Sequence, residues 1–139
     1  MSTQENKDLL NRMFMEAFNE QKPEVLDQIC SPNFNWETPE VSMKIGETEG
    51  LKSLKDLMVV KWKSFPDIKY SLEDVISEAN MISCGIIIEG TFVNEFYGYA
   101  PTGKKFMAKG LVFGVVDQGK FSLMRFCIYG TPWLKALGV

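Results

Sequence analysis

Three polar side chains interrupt apolar strand patterns in this sequence, and they are the residues best suited to acid–base chemistry. Asp74 is the one acid on the apolar side of an alternation that begins at Ile68, so desolvation in a cavity would make its carboxylate a stronger base. Arg125 interrupts an otherwise apolar strand, where its guanidinium could bind a carboxylate or an enolate oxygen. Tyr129 ends the same strand, and its phenol could donate a hydrogen bond to a developing oxyanion. We therefore predict that Asp74, Arg125 and Tyr129 form a catalytic trio, with Asp74 as the base and the other two stabilising an oxyanion.

Each member of this trio also has a purely structural interpretation. Asp74 would meet water if it sat at a frayed strand end, and Tyr129 would be a rim aromatic whose hydroxyl reaches solvent or backbone. Arg125 would point outward and pair with Glu73 or Glu89 across the sheet. The alternation of the last strand does not decide between the two faces, because both of them are mostly apolar.

The composition excludes several kinds of catalytic site. No histidine occurs among the 139 residues, so Ser–His and Cys–His nucleophiles and the commonest metal ligand are absent. The three cysteines, Cys30, Cys84 and Cys127, are widely spaced and form no CxxC motif, which argues against a disulfide framework or a zinc site. We expect free thiols in a reducing cytoplasm, and neither a metal nor an organic cofactor.

Charge and hydropathy exclude two classes of partner. The net charge is −3, with 15 basic and 18 acidic residues and no basic stripe, so nucleic acid is not an expected partner. The longest apolar runs, such as 86–88, are too short to cross a bilayer, and the polar N-terminus has no signal-peptide core. The sequence therefore predicts a cytoplasmic protein that binds neither nucleic acid nor membrane.

Apolar periodicity predicts the elements that position these residues within one domain, 1–139. Helical spacing indicates helices that begin after Ser2, at Lys22-Pro23-Glu24 and at Thr48-Glu49-Gly50. A short strand follows the second helix, and from Ile68 a period of two predicts an antiparallel meander whose later strands are Met81–Phe92, Lys104–Val116 and Lys120–Tyr129. This order predicts an α+β fold, in which one curved antiparallel sheet wraps against three N-terminal helices as a cone with an internal cavity.

Several short motifs then identify a family. The sequence resembles the SnoaL-like polyketide cyclases of the nuclear transport factor two-like superfamily over nearly its whole length. The matching pieces, in order, are Phe65-Pro66-Asp67, Gly90-Thr91-Phe92, Glu95-Phe96-Tyr97-Gly98, Pro101-Thr102-Gly103-Lys104, Asp117-Gln118-Gly119-Lys120, and the tail Leu134, Leu137 and Gly138. The resemblance implies an α+β cone with a deep apolar cavity, often in a homodimer packed through the sheet.

The last strand departs from the family pattern. SnoaL-like cyclases commonly carry two aspartates there, and one of them is the acid–base residue. Counting without a gap from Gly119 places Phe126 at the first acidic position and Tyr129 at the second. The resemblance therefore does not carry the cyclase mechanism over to this chain.

Large apolar side chains are predicted to form the walls of the ligand site. The ones that we expect to bind ligand are Trp36, Met58, Trp62, Tyr97, Phe126 and Trp133. The predicted function is binding of a small hydrophobic or carbonyl-bearing molecule, with cofactor-independent cyclase- or isomerase-type catalysis as one hypothesis. The alternative is a non-catalytic ligand-binding or protein-interaction domain, because the superfamily contains both kinds of protein.

Overall fold

Helices form the N-terminal part of the computed structural model, which describes residues 2–38 and 50–139. Helix α1 (Thr3–Asn11) begins at a capping box, in which Ser2 Oγ accepts a hydrogen bond from the Glu5 backbone N–H at 3.1 Å. It continues as a π-helical segment (Arg12–Asn19), and helices α2 (Glu24–Ile29) and α3 (Gly50–Ser64) follow. The predicted start of α3 at Thr48-Glu49 lies outside the described residues.

None of the helices in these described ranges is long and apolar enough to span a bilayer.

In the described part of the chain, five strands form one sheet in the order β1-β5-β4-β3-β2. Strands β2 to β5 are the antiparallel meander, whereas β1 pairs parallel to β5 and makes the sheet mixed. The bounds are β1 Cys30–Glu37, β2 Lys69–Glu78, β3 Met81–Thr91, β4 Lys105–Asp117 and β5 Lys120–Tyr129, followed by a short helix α4, Trp133–Ala136. The predicted α+β fold is confirmed: a curved, unclosed sheet packs against the N-terminal helices.

Alternation gives each strand an inner and an outer side chain set. On β4, Ala108 and Val112 are buried, whereas Met107 and Leu111 are more than half exposed. The inner set joins the apolar face of the π-helical segment, where Phe14 and its neighbours are fully buried. The core therefore lies between the helices and one face of the sheet, and the other face is open.

Strand β2 does not keep one alternation along its length. Its pairing with β3 shifts register between Glu73 and Ile76, and Asp74 has a φ of +54°. Tyr70 pairs with the inward Ile88, but Ile76 is 67% exposed on the outer face. The prediction that Ile76 shares the apolar face of Tyr70 is therefore wrong, because a bulge at Asp74 reverses the side-chain alternation.

Candidate functional site

An apolar cavity of about 60 Å³ lies between helix α3 and the inner face of the sheet, and it is partly open to solvent. Its walls come from every layer of the fold. The lining residues are Phe18, Trp36, Thr38, Leu54, Leu57, Met58, Lys61, Tyr70, Ile86, Ile88, Phe96, Phe126, Ile128 and Trp133. Almost all of these side chains are aliphatic or aromatic, so the cavity can hold an apolar group without leaving polar atoms unpaired.

The periods of the elements explain why these side chains converge. Leu54, Met58 and Lys61 follow the spacing of one helical stripe, so α3 presents them together to the sheet. Phe126 and Ile128 alternate on β5, which places both on the inner face. The cavity is thus lined by one stripe of a helix and by inward residues of the strands.

Aromatic contacts hold the walls in place. The Trp36 and Phe126 rings meet edge to face with centroids 6.2 Å apart. The Trp36 indole N–H donates a hydrogen bond to Ser53 Oγ at 2.8 Å, which fixes the ring against α3. On another side, Trp133 packs perpendicular to Phe65 with centroids 5.8 Å apart. The hydrogen bond to Ser53 and the contact with Phe65 therefore hold Trp36 and Trp133 in position.

Lys61 is the charged residue among the described cavity-lining side chains. The side chain is half-buried, and its ammonium donates a hydrogen bond to Tyr70 Oη at 3.3 Å. It also lies over the Trp133 ring, with Nζ 5.2 Å from the ring centroid, which is within the range of a cation–π interaction. The cavity thus combines an apolar interior with one positive charge.

The predicted catalytic residues do not meet in this cavity. Asp74 is exposed at the bulge of β2, and Tyr129 is 44% exposed at the end of β5. Arg125 lies on the outer face, where its Nε donates to Glu37 Oε2 at 3.1 Å and its guanidinium stacks over Phe113. Arg125 therefore takes the outward interpretation, with Glu37 as its partner in place of Glu73 or Glu89.

The predicted ligand-binding residues divide into two groups. Trp36, Met58, Phe126 and Trp133 all line the cavity. Trp62 does not line it, and its indole N–H donates to the Phe18 carbonyl at 3.0 Å. Tyr97 packs edge-on against Phe96 in the loop between β3 and β4; burial, together with the negative charge of Asp56, raises the pKa of Tyr97. A role in ligand binding stays a prediction for all six.

Sequence reasoning missed Lys61 and Tyr70 as site residues. Lys61 continues the apolar stripe of α3, and Tyr70 lies on the apolar side of β2. A charge at an apolar position of an amphipathic helix is the signal that could have singled out Lys61. Tyr70 carried no such signal, because a buried tyrosine is ordinary in a strand.

The cysteines do not provide a nucleophile in the cavity. Burial raises the pKa of the Cys84 thiol to about 12, and burial together with the Asp27 carboxylate raises that of Cys30 to about 12. Cys127 is exposed on the outer face. Within residues 2–38 and 50–139, no three Cys, Asp or Glu side chains lie close enough together to hold a metal ion.

The Phe65-Pro66-Asp67 segment connects the end of α3 to the end of β3. Asp67 accepts hydrogen bonds from the Thr91 backbone N–H and from Thr91 Oγ1, both at 2.7 Å. Burial acts to raise the pKa of Asp67, but these hydrogen bonds outweigh it and hold the pKa below its ordinary value. The motif therefore ties the segment that follows α3 to the end of β3.

Comparisons with known proteins agree with this geometry. The family model for SnoaL-like polyketide cyclase matches residues 8–127. AclR from Streptomyces galilaeus, a candidate hydroxylase, superposes with a TM-score of 0.82 at 23% identity, over 99% of this chain and 98% of that one. TsrD from Streptomyces laurentii superposes with a TM-score of 0.82 at 17% identity, over 99% and 94% of the two chains.

A SnoaL-like polyketide cyclase from Agrobacterium tumefaciens is also similar, with a TM-score of 0.70 and 18% identity over 88% of this chain and 90% of that one. At these identities the superpositions show a shared fold alone. No curated protein matches the chain.

Proposed function

Because the chain belongs to the SnoaL-like polyketide cyclase family, we propose that its apolar cavity binds a small hydrophobic molecule. The proposal rests on the residues that line the cavity. Anchored aromatic rings face aliphatic side chains of α3 and the sheet across an open volume, and apolar concave sites of this kind are where proteins bind small molecules. A carbonyl-bearing, polyketide-like compound is the ligand class that agrees with the family.

The volume limits the size of that ligand. About 60 Å³ is well below the ~300–1,000 Å³ of sites that enclose drug-sized ligands, and below the ~150 Å³ of an engineered cavity that binds benzene. A phenyl ring therefore enters only when a wall moves to admit it, whereas a smaller apolar group fits the cavity as it stands. Met58 is suited to such movement, because its unbranched thioether side chain repacks at low cost.

Binding is better supported than carboxylate-based catalysis. The described lining residues include no aspartate or glutamate, and Asp74, Arg125 and Tyr129 lie away from the cavity. A general base must come within hydrogen-bonding reach of the proton that it removes. A cyclase- or isomerase-type reaction stays a second candidate. Lys61 and Tyr70 favour it, because both can donate to an enolate oxygen inside the cavity.

A pair of neighbouring isoleucines offers a matched test of the binding site. Ile88 lines the cavity, whereas Ile87 points to the outer face of the same strand. Ile88→Phe should fill the cavity and weaken binding of the neutral probe 3-phenylpropanamide about tenfold or more, and Ile87→Phe should leave it unchanged. Isothermal titration calorimetry measures both affinities. Overpacking costs about 1–3 kcal/mol of stability, so thermal unfolding of both variants is the control for folding.

Equal binding by both variants and the wild type would mean that the probe binds elsewhere. Absence of binding by the wild-type protein at millimolar probe would also contradict the proposal. Loss of binding in Ile87→Phe alone would point to the outer face instead.

We also propose that the outer face of the sheet is the contact surface of a homodimer. Met107, Leu111 and Tyr129 are each 44–54% exposed there, and Phe113 and Leu123 continue the apolar side chains of this face further along β4 and β5. Contiguous exposed apolar surface on a sheet is typical of a protein–protein interface. The exposed apolar side chains on this face support the proposal.

A further inference from the structure

Lys61 places a positive charge on the apolar stripe of α3. It occupies a position of the α3 stripe where its neighbours Leu54, Leu57 and Met58 are buried apolar residues. The salt bridges within the described residues join Arg12, Lys22, Lys52, Lys55 and Arg125 to carboxylates, and Lys61 takes part in none of them. Its charge therefore faces the cavity without a described counterion.

Tyr70 supplies a second unused donor at the same point. Its side chain is almost fully buried, and its Oη accepts the hydrogen bond from Lys61 Nζ at 3.3 Å. An ammonium group cannot accept a hydrogen bond, so the Tyr70 phenolic proton is not used in this pair. No other acceptor for it is present in residues 2–38 and 50–139. Two donors thus stand side by side on one wall of an apolar cavity.

The aromatic rings around Lys61 hold its ammonium in place. Nζ lies 5.2 Å from the Trp133 ring centroid and 5.9 Å from that of Tyr70. Cation–π contacts at these distances favour an ammonium over the ring faces. Because Lys61 is half-buried, this position lies between the apolar interior and solvent. A ligand can therefore place an apolar tail inside and a charged end beside Lys61.

We propose that Lys61 and Tyr70 recognise the carboxylate of an otherwise apolar ligand, which rests on the proposed function of the cavity. One carboxylate oxygen accepts a hydrogen bond from the Lys61 ammonium, and the other accepts one from the Tyr70 hydroxyl. A single positive charge balances a single negative charge, which suits a carboxylate better than a phosphate. Charge-assisted hydrogen bonds at a partly dry site are strong enough to discriminate an acid from its amide.

Two probes that differ in one group test this recognition. 3-Phenylpropanoate and 3-phenylpropanamide share the same apolar tail, and only the first carries a charge. We expect the wild-type protein to bind the carboxylate about tenfold more tightly than the carboxamide. Lys61→Met should remove that preference, because it weakens carboxylate binding more than carboxamide binding. Tyr70→Phe should reduce the preference about threefold.

Lys63→Met is the matched control, because Lys63 is an exposed lysine on the same helix, two residues further on. It should leave both affinities unchanged. Isothermal titration calorimetry at fixed, low ionic strength measures each pair, and thermal unfolding checks that the variants fold. If Lys61→Met does not fold, the carboxylate and carboxamide affinities are compared in Lys61→Gln and Tyr70→Phe instead.

The outcomes separate this inference from the proposed function. Equal affinities for the two probes in the wild type, or a preference that survives Lys61→Met, would overturn carboxylate recognition and leave apolar binding standing. Absence of binding by either probe would overturn the cavity as a ligand site, and the carboxylate subsite with it. A preference lost equally in Lys63→Met would show a general charge effect, which also overturns the inference.

Discussion

Side-chain direction on β5 decides what two adjacent residues can do. Phe126 points inward, closes one wall of the cavity and meets Trp36 edge to face. Arg125 points outward, and its ion pair with Glu37 joins two side chains that are each more than half exposed. Exposed ion pairs contribute only ~0–1 kcal/mol, whereas a ring packed against the core contributes several times more.

We therefore expect Arg125→Met to lower the free energy of unfolding by less than about 1 kcal/mol. Phe126→Ala should lower it by about 2–3 kcal/mol, because it removes a ring that is partly buried. Urea denaturation followed by tryptophan fluorescence measures both values. Arg125→Met should also leave probe binding unchanged, and a large loss of binding in that variant would support the predicted role of Arg125 as a site residue.

Burial also divides the three thiols of the chain. The pKa values of Cys30 and Cys84 are raised to about 12, so neither forms much thiolate at neutral pH. Dilute native protein should therefore react with one equivalent of a thiol reagent such as 5,5′-dithiobis(2-nitrobenzoate), at Cys127. The unfolded protein should react with three equivalents. Rapid modification of all three thiols in the native state would contradict the burial of Cys30 and Cys84.

At the level of elements, sequence periodicity predicts regular segments well and irregular ones poorly. Strand β5 has the bounds that alternation predicts, and β3 and β4 agree within one residue at each end. The bulge at Asp74 could not be predicted, because a positive φ at a residue other than glycine is set by the pairing with β3. The parallel pairing of β1 with β5 depends on contacts that are distant in sequence, so no local pattern reports it.

The same reasoning explains which parts of the site were predictable. Trp36, Met58, Phe126 and Trp133 are large apolar residues, and such residues gather wherever a fold has an interior. The trio of Asp74, Arg125 and Tyr129 required knowledge of side-chain direction on two strands. One bulge and one ambiguous alternation were enough to separate those residues from the cavity.

The hydrogen bonds from Thr91 to Asp67, which join the end of α3 to β3, make the stability of the protein depend on pH. Because hydrogen bonds from Thr91 hold the pKa of Asp67 below its ordinary value, the folded protein binds fewer protons there than the unfolded protein. This stabilisation is fully present above the unfolded pKa and is lost as the pH falls through the folded pKa. Because solvent screens the exposed Asp67 carboxylate, Asp67→Asn should lower stability at neutral pH by about 0.5 kcal/mol and by no more than about 1 kcal/mol.

The difference in stability between the wild type and Asp67→Asn should become smaller as the pH is lowered into the range where the Asp67 carboxylate is protonated. Thermal unfolding at a series of pH values measures this difference. Thr91→Val, which removes only the hydroxyl donor, should show part of the same effect. A difference that stays constant with pH would mean that the Asp67 charge does not act through Thr91.

At the scale of the whole molecule, the two faces of the sheet have different surroundings. The inner face is covered by helices, whereas the outer face exposes Met107 and Leu111 in the single chain. A standard interface covers about 800 Å² per partner, which a sheet face can provide. The homodimer proposal therefore has a direct consequence for the mass of the particle in solution.

Leu111→Lys should convert the dimer to a monomer, because each copy would bury an unpaired charge near the centre of the interface. Val59→Lys is the matched control, since Val59 is 54% exposed on α3 and lies on a helix rather than on the sheet. Size-exclusion chromatography with light scattering gives the mass of each variant. A wild-type monomer, or a Leu111→Lys variant that stays dimeric, would contradict the outer-face interface.

Ligand binding in the cavity is tested most directly by methyl NMR, because isoleucines occupy both faces of the sheet. We expect 3-phenylpropanamide to shift the δ1-methyl signals of Ile86, Ile88 and Ile128, which line the cavity. Ile76 and Ile87, which point to the outer face, should not shift. Saturable shifts confined to the first group would support the cavity as the ligand site. Shifts confined to the second group, or no shifts at millimolar probe, would contradict it.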